Sequence, residues 1–371
     1  MNKLWPLLLI LLAVTAGCAQ GAKAPLKKAA DTVAGTERRV LVVVNDNSTA
    51  SKAIGTYYAK KRHIPASYLC HVRCAEQEEI DEDVFAQAIL EPVANALAQG
   101  PQSETVDYIV LTKGVPLRLH STAAGPDTRF SPDGDSVDGR LMTQAVAGMG
   151  SPSRNPYFKS QERFSHKKFG LYLVTRLDGY TVAEAEALVD RSLAAKPEPG
   201  TFLLDGCPSR SGGQDPGDLN GLLVPAAADL RARHLTVMLD QSQTFVGRIP
   251  NLMGYWSWGS NDPHFDATLY KGNTYRAGAI AETIVSTSAH TMQRGNWWQS
   301  LIADLVESGV TGVKGYVAEP YTLAMAHPDV LFDRYTRGWN LAESFYAASE
   351  VTHWKDLVVG DPLCAPYARL H

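Results

Sequence analysis

The run Arg39-Val-Leu-Val-Val-Val-Asn45 has five consecutive aliphatic residues and no polar residue between its ends. Such a run predicts a strand buried on both faces, as in the middle of a parallel sheet. It breaks into Asp46-Asn-Ser48, short polar residues suited to a helix N-cap. A helix follows from about Ala50 to Arg62, and Ile64-Pro65 stops it. Tyr68 to Arg73 reads as a second strand. An amphipathic helix then runs from about Asp81 to Ala98, with apolar Val84, Phe85, Ile89, Val93 and Leu97, and Val106 to Thr112 forms a third strand. This βαβαβ order with short connections implies right-handed crossovers. It points to a doubly wound α/β fold, a mostly parallel sheet flanked by helices in a three-layer sandwich.

The alternation lapses from Lys113 to about Gly170, where Ser, Pro, Gly and Asp dominate. A stretch of that length inside a domain reads as an irregular insertion, about 113–170. The rhythm resumes with a strand at Leu171 to Thr175 and a helix from Thr181 to Ala195, opened by a capping box with Glu184. A strand at Thr201 to Asp205, a helix at Leu219 to Arg233 and a strand at Leu235 to Asp240 follow. Two further strand-like runs end abruptly in small polar residues, Leu252-Met-Gly-Tyr-Trp-Ser-Trp-Gly-Ser-Asn-Asp262 and Ala279-Ile-Ala-Glu-Thr-Ile-Val-Ser-Thr-Ser-Ala-His290. A helix at Trp297 to Glu307, a strand at Gly312 to Val317, a helix at Leu341 to Ser349, a strand at Asp356 to Val359 and the turn Gly360-Asp-Pro362 complete the chain. With no internal repeat, residues 39–371 read as a single α/β domain.

The N-terminus carries a different signal. Lys3 precedes an apolar stretch, Leu4 to Ala16, too short to span a bilayer comfortably. It ends in Val14-Thr-Ala-Gly-Cys18, which resembles a bacterial lipobox, with Thr15 the departure from the usual Leu or Val. Residues 1–18 thus read as a lipoprotein signal peptide with Cys18 as the lipidation site and membrane anchor. The alternative is an ordinary signal peptide cleaved near Ala16 or Ala19, leaving a secreted protein. Ala19 resembles the pattern sent to the outer membrane, facing the periplasm. Residues 19–38, rich in Ala, Gly and Lys, read as a flexible tether.

At 371 residues and 45% hydrophobic, the chain can bury a sizeable core. A net charge of -4 offers no footprint for nucleic acid. The ten His are scattered without zinc spacing, so no metal centre and no cofactor are expected. Export permits disulfides among Cys70, Cys74, Cys207 and Cys364. Cys70 and Cys74, four apart on a strand, would sit about 13 Å apart, too far to bridge each other.

The ordered signatures Val-Leu-Val-Val-Val-Asn-Asp-Asn-Ser, Asp-Tyr-Ile-Val-Leu-Thr-Lys-Gly-Val-Pro, Leu-Val-Thr-Arg-Leu-Asp-Gly-Tyr-Thr, Gly-Val-Thr-Gly-Val-Lys-Gly-Tyr-Val-Ala-Glu-Pro-Tyr and Val-Val-Gly-Asp-Pro-Leu-Cys-Ala-Pro-Tyr cover residues 39 to 367. Together they resemble a family of exported bacterial proteins with no assigned function. More remotely, the element order and the closing Gly360-Asp361-Pro362 turn resemble gingipain-type peptidases of caspase-like fold. That resemblance implies a His-Gly tip where this chain has Trp258-Gly259, and a Cys tip near Ser286-Thr-Ser288. The expected dyad is missing, which favours a binding or scaffolding module.

The other reading is a divergent hydrolase acting on a peptide or cell-envelope substrate. Ser286 or Ser288 would be its nucleophile, with His264 or His290 as base and Asp262 as orienting group. Cys207, the one thiol in a loop at a strand end, is an alternative nucleophile. Against this, Ser286 to Ser288 would simply cap the next segment. Trp256 and Trp258, with Ser260 and Asn261, would form a stacking and polar surface for a peptide, glycan or envelope protein, or else pack between sheet and helix. Lys113, Arg176, Asp178, Asp205 and Arg210 also follow or end strands and would either bind an anionic ligand or form structural ion pairs. Asp133, Asp135 and Asp138 would offer carboxylates to Ca²⁺ or form a solvated acidic turn, the spacing lacking an EF-hand's twelfth-position acid.

Overall fold

A computed structural model describes residues 35–120, 134–143, 151–210 and 218–368. Ten strands form one sheet: β1 Val40–Asn45, β2 Leu69–Val72, β3 Tyr108–Thr112, β4 Leu173–Leu177, β5 Thr201–Asp205, β6 Thr236–Asp240, β7 Leu252–Ser257, β8 Tyr275–Thr283, β9 Gly312–Tyr316 and β10 Asp356–Gly360. Their order across the sheet is β2-β1-β3-β4-β10-β9-β8-β7-β5-β6. Every pairing is parallel except β9 with β10. The mostly parallel α/β sheet flanked by helices is therefore the architecture of this chain.

The apolar runs form central strands because both faces are covered. β1, β3, β4, β7, β9 and β10 are buried along their whole length. Glycines on β9 show the two covers directly. A Cβ on Gly312 would lie 2.1 Å from Leu341, whereas one on Gly315 would lie 2.8 Å from Ile302. Positions 312 and 315 point to opposite faces. On one side lies Leu341–Ala348, packed with Pro328–Thr336 and, through that helix, Leu223–Ala232; on the other lies Ile302–Glu307, packed with Val182–Ala194 and, through that helix, Thr49–Arg62.

Helix ends follow their sequence signals. Ser48 Oγ accepts from Ser51 N at 3.1 Å at the start of Thr49–Arg62, and Thr181 and Glu184 close a capping box. The helix expected as continuous over 81–98 instead has a π turn at Ala86–Leu90. Pro92 sits at its exit and has no N–H to donate back, so the preceding turn widens.

The described residues of the 113–170 stretch form short elements of their own. Among the described residues, Arg118–Leu119 pairs with Glu79–Ile80, Ser153–Arg154 pairs with Val351–Thr352, and Val137–Met142 is helical. Its polar residues work as clasps: Asn155 Nδ2 donates to Tyr346 O at 2.7 Å and Ser349 O at 2.8 Å. The 1–18 signal peptide, Cys18, and residues 19–34 of the tether lie outside the described residues. Residues 36–39 form a 3-10 turn leading into β1. No helix among the described residues is long and apolar enough to cross a membrane.

Candidate functional site at the strand tips

β5, β7 and β8 are parallel neighbours, so their carboxyl ends lie side by side. Register pairs Ser257 with both Asp205 and Thr283. Ser257 Oγ donates to Asp205 Oδ2 at 3.0 Å and accepts from Gly259 N at 3.1 Å. Gly259 takes φ +48°, and a Cβ there would lie 2.8 Å from Val285, so only glycine fits this turn comfortably. Asp205 is buried, and its other oxygen has no partner among the described residues. Burial pushes its carboxyl up to about 7; the Ser257 bond opposes the shift, while Asp240 and Asp262 add to it.

Beyond β7 the chain turns at Gly259–Asn261, so Trp256 and Trp258 no longer alternate on one strand face. Trp256 is fully buried and Trp258 nearly so, their rings perpendicular with centroids 6.3 Å apart. The Trp258 indole donates to Asn220 Oδ1 at 2.9 Å, and the same oxygen accepts from Cys207 N at 3.1 Å. These two indoles are core packing. The Cys207 thiol is also buried, 3.1 Å from Ser209 Oγ. Burial pushes it up, Ser209 offsets part of that, and Asp262 pushes it further. A nucleophilic thiol needs the opposite environment. Cys70, Cys74, Cys207 and Cys364 are all buried free thiols.

The two tips are joined by the segment that follows Trp298. Gln299 Oε1 accepts from Thr287 N at 3.0 Å and from the Thr287 hydroxyl. Gln299 Nε2 reaches Asn261 Oδ1 at 3.2 Å, and Asn261 Nδ2 donates to Ile284 O at 2.7 Å. Ser300 Oγ accepts from Ser260 N at 3.2 Å, and Ser260 Oγ accepts from Ser300 N at 2.9 Å. The helix expected over 297–307 begins only at Ile302, because residues 299 and 300 lie across the tips and bond to them.

Within this arrangement Ser288 is fully buried, its Oγ accepting from Tyr316 N at 3.4 Å. Ser286 is half-buried in the turn. His290 Nδ1 lies 2.6 Å from Thr287 O, so that nitrogen donates within its own turn. His264 is exposed, and Asp262 Oδ1 accepts from His264 N at 2.7 Å. Among the described residues, no hydrogen bond joins Ser286 or Ser288 to either histidine. Arg210 donates to Asn261 O at 2.8 Å and holds the edge of the same tip.

Lys113, Arg176 and Asp178 gather on the neighbouring strand ends instead. Arg176 is fully buried and bonds to Asp138 through Nε at 3.1 and 3.2 Å and through Nη2 at 2.5 Å. It also donates to Val115 O at 3.3 Å and Pro116 O at 3.1 Å, with Asp178 at 3.4 Å. Lys113 Nζ donates to Asp178 at 3.1 Å and Gly179 O at 2.7 Å. Every charge here has an internal partner. Asp138 is thus a counter-ion, and Asp135 accepts from Ser151 at 3.1 Å, burial pushing its carboxyl up to about 7. Asp133 lies outside the described residues, and no group of three or more His, Cys, Asp or Glu among those described is placed to hold a metal ion.

Sequence reasoning missed a second buried polar row on the face toward Leu341–Ala348. Glu282 Oε1 accepts from the Tyr316 hydroxyl at 2.5 Å and from Ala326 N at 3.2 Å, and burial pushes its carboxyl up to about 7. Lys314 bonds Ala324 O and Ser349 Oγ at 2.6 Å each and sits 3.1 Å from Asp356. The one available signal was Glu282 and Lys314 inside otherwise apolar runs.

Three solved structures align with most of this chain at low identity. The Arg-specific cysteine proteinase gingipain R gives a TM-score of 0.44 at 13% identity, over 90% of this chain and 79% of that one. The pro- and mature-domain complex of RgpB from Porphyromonas gingivalis gives 0.43 at 12%, over 88% and 79%. A structure described as a protease gives 0.46 at 12%, over 90% and 79%. No protein-family model and no curated protein matches the chain.

Proposed function

We propose that this chain is a non-catalytic binding module whose ligand face is the rim of the strand tips. One observation carries the reading: Gln299 and Ser300 bond both tips together, leaving Ser286 and Ser288 without a histidine partner. A serine nucleophile needs a base within about 3 Å and space for the substrate above it. Ser288 is buried beneath its own turn, and Cys207 sits where its thiol stays protonated.

The test is reaction of the full chain with broad serine- and cysteine-directed activity probes, followed by mass mapping. No adduct at Ser286, Ser288 or Cys207 is expected; an adduct at any of them establishes the hydrolase reading instead. The leader extends the proposal to place: a lipid on Cys18 would tether the module to the outer membrane, facing the periplasm. Metabolic labelling with an alkynyl fatty acid should tag the protein, and Cys18→Ala should abolish the tag. A labelled Cys18→Ala variant would remove the lipoprotein assignment.

A further inference from the structure

Three rings stand together just outside the tips. Trp298 is 72% exposed and Trp297 38%. His290 stacks on Trp298 at 24° with centroids 5.1 Å apart, and meets Trp297 edge-on at 4.8 Å. An exposed indole on an ordinary loop rotates freely, but this pair is held from behind. The His290 ring is tied to Thr287 O through Nδ1, and its carbonyl accepts from Arg118, which pairs with Glu79 at 2.8 Å. Trp297 Nε1 donates to Gln293 O at 3.2 Å. Gly295 lets that ring lie over bare backbone, since a Cβ there would come within 2.9 Å of it.

We infer that Trp298, backed by His290 and Trp297, is a stacking platform for a neutral pyranose ring of a glycan. The inference rests on the binding-module reading and names the ligand class. A pyranose presents a flat face of C–H groups and an equatorial rim of hydroxyls, so it needs a flat aromatic face flanked by neutral donors and acceptors. Gln293 and Asn296, exposed beside the indoles in the chain, are such neutral groups. An apolar peptide side chain gains most from a desolvated pocket, and an indole that is 72% exposed lines none. A nucleobase would also stack, but its phosphates would approach a chain of net charge -4. Arg294 offers no free cation to an acidic sugar: it lies 4.4 Å over Tyr180 and pairs with Glu307 at 2.8 Å and Glu184 at 3.3 Å. Because the rings are already fixed, little ordering accompanies binding.

The experiment titrates chitotetraose and cellotetraose separately into the full chain, read by tryptophan fluorescence and calorimetry. At least one sugar should bind saturably with a shift in emission. Trp298→Ala should weaken binding roughly tenfold or more, the loss of one stacking face. Its melting temperature should be unchanged, because the ring is exposed, and Trp298→Phe should retain part of the affinity. Failure of both sugars to bind, or equal binding by Trp298→Ala, overturns the inference. So does a mixed peptide pool that shifts the emission when neither sugar does. Absence of sugar binding together with absence of probe adducts removes only the glycan platform. Trp298-dependent binding followed by cleavage of the oligosaccharide supports the platform and removes the non-catalytic reading.

Discussion

Replacing Asp138 by Ala isolates the fully buried Arg176 from its principal counter-ion. The wild-type guanidinium has three contacts to that carboxylate, two carbonyl acceptors and a more distant Asp178. Breaking a buried pair by removing one partner costs about 3–5 kcal/mol, since the remaining charge stays desolvated. Asp178 and the two carbonyls remain, so the low end, about 3 kcal/mol, applies here. With a urea slope of about 3 kcal/mol/M, the denaturation midpoint should fall by about 1 M. The double variant Asp138→Leu/Arg176→Met removes both charges and should recover to within about 1 kcal/mol of wild type. Urea melts of the three proteins by circular dichroism decide the matter. A single variant that loses less than about 1 kcal/mol, or a double variant no better than the single, refutes the claim that Arg176 is held by compensation alone.

Three further outcomes follow from the geometry. Asp205 holds its proton up to about 7 in the folded state, against an ordinary value of 3.8, so its own contribution to stability is full below about pH 4 and is lost as pH rises through 7; Asp205→Asn should remove that loss and raise the melting temperature at pH 8 relative to wild type, while leaving pH 4 nearly unchanged. Gln299→Ala removes an acceptor worth about 1 kcal/mol from the Thr287 amide, whose hydrogen-exchange protection should drop roughly fivefold; unchanged protection there means the tips are not held by Gln299. Gly114→Ala should destabilise by about 2–3 kcal/mol, combining left-handed strain with loss of the Ser48 cap, because Gly114 has φ +96° and a Cβ would lie 2.3 Å from Ser48 Oγ; Gly309→Ala, at φ +104° with no neighbour within 4 Å, should show the strain alone in parallel thermal melts.

The first strand was legible because burial on both faces leaves no polar residue from Val40 to Val44. Hidden from the sequence was what polar residues do once they are inside. Arg176 and Asp138 are 38 positions apart, and only the folded insertion makes them a pair. Trp256 and Trp297 look alike in sequence, yet one is core and the other surface, because the chain turns after Ser257 and residues 299 and 300 cross the tips. The four-residue spacing of Phe85, Ile89, Val93 and Leu97 concealed a π turn, and Val84, expected on the same apolar face, is 42% exposed.

The last strand of the chain lies in the middle of the sheet. Residues 40–177 supply the four strands on one side of β10, and residues 201–316 supply the five on the other. During synthesis, each half emerges with an open inner edge, β4 or β9, that nothing closes until residues 356–360 arrive. A nonsense or frameshift change near position 350 would therefore leave two adhesive half-sheets rather than a slightly shortened protein.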